Sequence, residues 1–178
     1  MELFEAIRKR ASYRGAFLST PIPEKDIYDI LEAGILAPSG LNYQTTTFVV
    51  VKEAASCRMI ADLFPTPATE SAPLFIVALS EVHKPENPSF SHMSFETEDY
   101  AAAIENILLA VTAKGYATVW MDGMTRMKED ANHELRKLLN VPEKYSIRTI
   151  LPVGIPAGEV KTREKKPYNE RVILERFA

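Results

Sequence analysis

Three short stretches hold the residues best suited to chemistry. Residues 10–14 read Arg-Ala-Ser-Tyr-Arg. In an extended run alternate side chains share a face, so Arg10, Ser12 and Arg14 would point the same way. Two guanidinium groups and a hydroxyl make a receptor for a phosphate, with forked, charge-assisted donors and one neutral donor. A solvated helix end explains the same residues, because basic side chains favour helix C-termini. Residues 37–44 read Ala-Pro-Ser-Gly-Leu-Asn-Tyr-Gln. Ser39, Asn42 and Gln44 supply donors and acceptors, and Gly40 lets a ligand or another backbone come close. A helix cap followed by a polar turn is the plainer account. Third, Trp120-Met121-Asp122-Gly123 ends an apolar run. A glycine beside an acid there aims backbone N–H groups at a ligand, or simply makes a turn.

Other signatures are missing. No glycine-rich dinucleotide fingerprint or P-loop occurs, and the prolines of Gly154-Ile155-Pro156-Ala157-Gly158 remove donors that a phosphate loop needs. His83, His92 and His133 are scattered without an acid or cysteine at metal-ligand spacing, so they read as surface histidines and no metal is expected. The one cysteine, Cys57, follows a helical pattern beside Arg58 and reads as packing.

These stretches must be carried by a scaffold, and the chain is sized for one domain: 178 residues, 46% hydrophobic and 25% charged. A formal charge of -3 argues against nucleic acid or an anionic membrane as partner. A single cysteine, no signal-peptide pattern at the start and no apolar run near the roughly 20 residues of a membrane span suggest a cytoplasmic protein.

Periodicity supplies the elements. A short helix over 2–10 carries Leu3, Phe4 and Ile7. Pro23 opens a second helix whose Ile27, Ile30, Leu31 and Ile35 recur at spacings of three and four, and Pro38 ends it. Thr46–Val51 and Leu74–Leu79 are continuous apolar runs that read as buried strands, with a helix over 53–63 between them. Residues 81–95 read as a long loop. Thr97–Lys114 is the longest helix, with alanines that allow close packing and Gly115 as its stop. A strand over Ala117–Met121, a helix over 128–139, a strand over Ile147–Val153 and a last strand over Arg171–Leu174 complete the reading. The expected architecture is α+β: a central mixed sheet flanked by helices, with a tail placed to complete a sheet on another subunit.

Taken together, the motifs resemble the nitroreductase family of FMN-dependent flavoproteins. The likeness rests on RASYR at 10–14, on PIPEKDIYDILEAGILAPSGLNYQ, on DYAAAIENILLAVTAKGYATVWMDG, and on LPVGIPAG followed by a basic segment. It implies one FMN-binding domain over residues 1–178 and an intertwined homodimer that exchanges its C-terminal strand. Arg10 and Ser12 match positions that hold the FMN phosphate and ribityl chain, with Ala11 between them where a basic residue is frequent. Arg14 matches the basic position at the pyrimidine edge. Pro38, Ser39 and Gly40 match a loop that packs on the flavin ring from the partner subunit, and Asn42 and Gln44 complete that motif. Asp122 and Gly123 match a strand end whose backbone faces flavin N5. Arg163 and Lys165 resemble a basic pair at the phosphate. Tyr43, Thr45 and Thr46 depart from the family's pattern, in which Gln-Pro-Trp closes the loop. The implied activity is hydride transfer from NADH or NADPH through the flavin to a small acceptor such as a nitroaromatic or a quinone. The alternative is a non-catalytic dimer that binds flavin or another small ligand.

Overall fold

A computed structural model describes residues 1–83, 90 and 92–177. Four strands form one sheet in the order β1-β2-β4-β3: β1 is Thr46–Val51, β2 Leu74–Glu81, β3 Ala117–Thr118 and β4 Tyr145–Gly154. All three pairings are antiparallel, with Val49 opposite Val77 and Val77 opposite Ile150. The expected mixed sheet is therefore corrected. The long link from β1 to β2 is a helical detour that leaves and returns at one end of the sheet, where Val51 faces Phe75. Connection length alone does not decide strand direction.

Eight helices surround the sheet among the described residues: α1 Leu3–Lys9, α2 Glu24–Ile35, α3 Ala54–Leu63, α4 Pro67–Ser71, α5 Glu96–Ala113, α6 Asp122–Met127, α7 Glu129–Leu138 and α8 Tyr168–Arg171. Side chains alternate across a strand, and β2 is buried on both faces. Leu74, Ile76 and Ala78 meet Ile104, Ile107 and Val111 of α5 and Ile27 and Ile30 of α2. Phe75, Val77 and Leu79 meet Ile60 of α3, Phe64 and Leu135 of α7. That double burial explains why β2 is apolar without alternation. Gly34 brings α2 close to α5, since a Cβ there would lie 2.8 Å from Ile107.

Beyond α5 the structure differs from the periodicity in three places. β3 is only two residues long, although Met121 still donates its N–H to the Ile150 carbonyl at 3.2 Å. Asp122 and Gly123, where a turn was one reading, open α6, which is closed at its start by an Asp122–Arg126 ion pair four residues apart at 2.6 Å. Arg171 ends α8 rather than opening a strand, and Val172–Leu174 lie exposed, outside any sheet among the described residues. Residues 84–89 and 91 of the expected 81–95 loop lie outside the described residues. Among those described, no helix is long and apolar enough to cross a membrane.

Candidate functional site

The basic run is extended and lies beside β3. Ser12 forms a parallel bridge with Thr118, and the Tyr13 N–H donates to the Thr118 carbonyl at 2.8 Å. Tyr13 is buried against Phe17, while Ser12 and Arg14 on either side of it are exposed. The alternation expected of 10–14 is present only across Ser12, Tyr13 and Arg14, with a buried tyrosine as the anchor that turns its two neighbours outward. Arg10 is half-buried at the end of α1, with its Nε 4.0 Å from Glu105 of α5. Neither this acid nor the Tyr13 anchor could be read from spacing.

The start of the tail comes to the same place. Gly158 donates its N–H to the Tyr13 hydroxyl at 3.0 Å, and Ala157 donates to the Ala16 carbonyl at 3.0 Å. A cavity of about 280 Å³ has both Ala11 and Thr162 in its wall. The chain so placed continues directly into Arg163 and Lys165, whose side chains are exposed.

The second stretch folds as a strained loop. Gly40–Asn42 make one 3₁₀ turn, and Leu41, Asn42 and Gln44 have φ of 51°, 58° and 51°. Non-glycine residues in the left-handed region cost about 1–3 kcal/mol each and persist only where surrounding contacts impose them. Two contacts do so within the loop: the Gln44 N–H donates to Ser39 Oγ at 3.0 Å, and the Tyr43 N–H donates to the Gly40 carbonyl at 3.1 Å. Tyr43 also packs on His83 with the two rings tilted by 50° and their centroids 4.0 Å apart. Two further contacts come from α5. The Gly40 N–H donates to Asp99 Oδ1 at 2.7 Å, and Thr45 Oγ1 donates to Asp99 Oδ2 at 2.7 Å. A Cβ on Gly40 would run into the Phe95 ring. Among the described residues no hydrogen bond or ion pair joins this loop to residues 10–14.

Asp122 and Gly123 sit in the first turn of α6 rather than at a strand end, because β3 stops at Thr118. The Asp122 carboxylate is engaged by Arg126. At Gly123 no atom of the described residues lies within 4 Å of where a Cβ would stand. Thr125 Oγ1 ties α6 to the sheet by donating to the Arg148 carbonyl at 3.0 Å. Arg148 is the extra residue of a bulge in β4, where Ala78 pairs Thr149 and Leu79 pairs Ile147. Its guanidinium reaches Ser80, Glu96 at 3.6 Å and the Tyr100 ring at 5.6 Å. Burial, then the nearby Asp122 charge, raises the Tyr100 phenol above its ordinary value. The indole N–H of neighbouring Trp120 is buried without a partner among the described residues.

Two other features fall away as sites. Cys57 is buried, 3.6 Å from the Val51 carbonyl, and burial pushes its thiol up rather than towards the reactive thiolate. A cavity of about 600 Å³ lies beside it, bordered by Phe17, Ile27, Lys52 and Leu74. None of the candidate residues lines it, and Lys52 is paired with Glu24 there.

The fold and its polar stretches match known proteins along most of the chain. The profile of the Nitroreductase family matches residues 7–81 and 59–155. A protein of Methanothermobacter thermautotrophicus, provisionally named an NADH dehydrogenase/NAD(P)H nitroreductase, is 30% identical over 92% of this chain and 82% of its own length. An iodotyrosine deiodinase of Nematostella vectensis is 25% identical over 97% of this chain and 75% of its own length. Among solved structures, a provisionally assigned nitroreductase from Desulfovibrio desulfuricans, crystallised in complex with FMN, superposes with a TM-score of 0.79. It is 26% identical over 100% of this chain and 99% of that one. The chain belongs to the nitroreductase family. It is an oxidoreductase of that family, with the small antiparallel sheet and flanking helices of the family fold.

Proposed function

We propose that residues 1–178 form a single FMN-binding domain that works as a homodimer and passes reducing equivalents from NADH or NADPH to a small acceptor such as a nitroaromatic or a quinone. The observation that carries this reading is the extended 10–14 run, pinned to β3 through Tyr13 so that Ser12 and Arg14 face outward, with the basic tail beginning at the same place. The donor set fits a phosphorylated flavin: guanidinium groups and a hydroxyl for an anion, and a small, polar loop for a planar ring. When bound, FMN supplies the hydride chemistry.

The chain's own residues then have separate tasks. Arg10 and Ser12, joined by Arg163 and Lys165, bind the phosphate. Arg14 places a permanent cation where the ring's charge grows on reduction. Pro38, Ser39 and Gly40 of one subunit cover the ring held by the other, with Asn42 and Gln44 completing the loop. Asp122 and Gly123 present backbone to the ring's reactive edge, and Gly123 leaves that approach open. Names among the relatives that include NADH and NAD(P)H, and a related structure solved with FMN, support the cofactor pair. The dimer is supported by what one copy leaves exposed: Leu3, Phe4 and Ile7 on α1, Ile35 and Leu36 at the end of α2, and Val172, Ile173, Leu174 and Phe177 in the tail.

Anaerobic mixing of the FMN-loaded protein with NADH or NADPH tests the reading. Prompt bleaching of the flavin band is the expected result. A protein that binds FMN but does not bleach with either donor is the non-catalytic dimer instead, and one that takes up no FMN is neither.

A further inference from the structure

We infer that Asp99 is a positioning residue for the ring-covering loop. The inference rests on the flavin reading above. Asp99 lies in the first turn of α5, where the helix dipole favours a carboxylate, and it is 4% exposed. Its two oxygens are used separately. Oδ1 accepts from the Gly40 N–H at 2.7 Å and Oδ2 accepts from Thr45 Oγ1 at 2.7 Å. These attachments bracket the part of the chain where Leu41, Asn42 and Gln44 take left-handed conformations. A loop with three such residues does not hold its shape by local preference. Asp99 supplies an external post at each end of the strained part, and the Phe95 ring closes the space above Gly40.

The clamp has two consequences for a ring that lies against this loop. First, the Gly40 N–H is already committed to Asp99, so it does not compete for a polar atom of the ring. Second, the loop is held before the ring arrives, so less ordering entropy is lost when FMN binds. Thr45 is the distinctive member. A side chain without a hydroxyl at this position would leave Oδ2 with no donor from the loop.

Four variants test the inference: Asp99→Ala, Thr45→Val, Thr45→Ser and the Asp99→Ala/Thr45→Val pair. Each is titrated with FMN by flavin fluorescence, and the bound flavin's visible circular dichroism is recorded with the melting temperature. In the apoprotein, NMR follows the Gly40 amide proton. The expected Kd rises about tenfold for Asp99→Ala and about threefold for Thr45→Val. Thr45→Ser, which keeps the hydroxyl, stays at the wild-type Kd. The pair is no weaker than Asp99→Ala alone, because both changes break one unit. The dichroism changes in Asp99→Ala and Thr45→Val, and the Gly40 amide loses its downfield position in Asp99→Ala. Wild-type Kd and dichroism in Asp99→Ala and Thr45→Val, even with lowered melting temperatures, would make Asp99 a fold-stabilising residue only and overturn the inference. A wild-type protein that binds no FMN overturns it by a different route, through the function it rests on.

Discussion

At the scale of single residues, chemistry depends on which groups have been left free. Arg14 is exposed and has no ion-pair partner among the described residues, whereas Arg10 is half-buried with Glu105 at 4.0 Å. The two arginines of one short motif therefore predict different failures. Arg14→Ala should leave FMN bound but lower its midpoint potential by about 30 mV, which for a two-electron couple is roughly 1.4 kcal/mol. A spectroelectrochemical titration gives that number, and an unchanged potential removes the role. Arg10→Ala should weaken FMN binding at least about tenfold, the effect of losing one charge-assisted hydrogen bond, with dialysis of the loaded protein as the readout. The outward turn of Ser12 and Arg14 was legible because a two-residue alternation is written in the chain. Asp99 and Glu105 were not, because they lie on a long helix amid other acids and acquire their meaning only from what packs against them.

At the scale of elements, α2 and the end of α5 are joined by a small ionic cluster. Lys114 donates to Asp26 at 2.7 Å and to Asp29 at 2.6 Å, and the Tyr116 hydroxyl donates to Asp26 at 2.6 Å. The Lys114 hydrogen bond, helped by Tyr116, holds Asp26 below the ordinary 3.8, and the Lys114 hydrogen bond, helped by Lys25, does the same for Asp29. Carboxylates with depressed values contribute stability that is complete above that ordinary value and lost as pH falls through the folded ones. Melting temperature should accordingly drop on acidification below about pH 4, and Asp26→Asn should flatten that part of the profile. On the alkaline side the sign reverses. Burial, and then the bond to Asp26, push Tyr116 up to about 12, so its contribution is complete below the ordinary 10 and lost as pH rises through the folded value. An ultraviolet phenolate titration should show one tyrosine ionising at about 12, absent in Tyr116→Phe. The same helix pair sets a packing test: Gly34→Ala drives a methyl into Ile107 and should cost about 1–3 kcal/mol in urea unfolding.

At the scale of the whole molecule, one copy leaves large apolar side chains exposed. Leu36 is 74% exposed and Phe177 83%, and α1 turns Phe4 and Ile7 to solvent although it packs on α5. Those side chains are the proposed subunit interface. Phe4→Glu with Leu36→Glu should convert the protein to a monomer in analytical ultracentrifugation and weaken FMN retention with it, since the ring-covering loop of each site would come from the partner. A monomer that retains FMN as tightly as the wild type would show that each chain holds its flavin alone.

The order of residues was enough to announce the major helices, three of the four strands nearly to their ends, and the polar stretches proposed to carry the site. Those features are local: a 3.6-residue stripe, an unbroken apolar run or a proline acts on its own neighbours. β2 is the clearest case, apolar throughout because both its faces are covered. α6 escaped notice because Asp122-Gly123 is good turn chemistry and its six residues are too few to show a period. The sheet's direction, the Tyr13 anchor and the Asp99 clamp each join residues far apart along the chain, 59 apart for Gly40 and Asp99. Their energy comes from burial and from donors meeting acceptors across that distance, so no window of sequence contains both partners. Folding alone decided them.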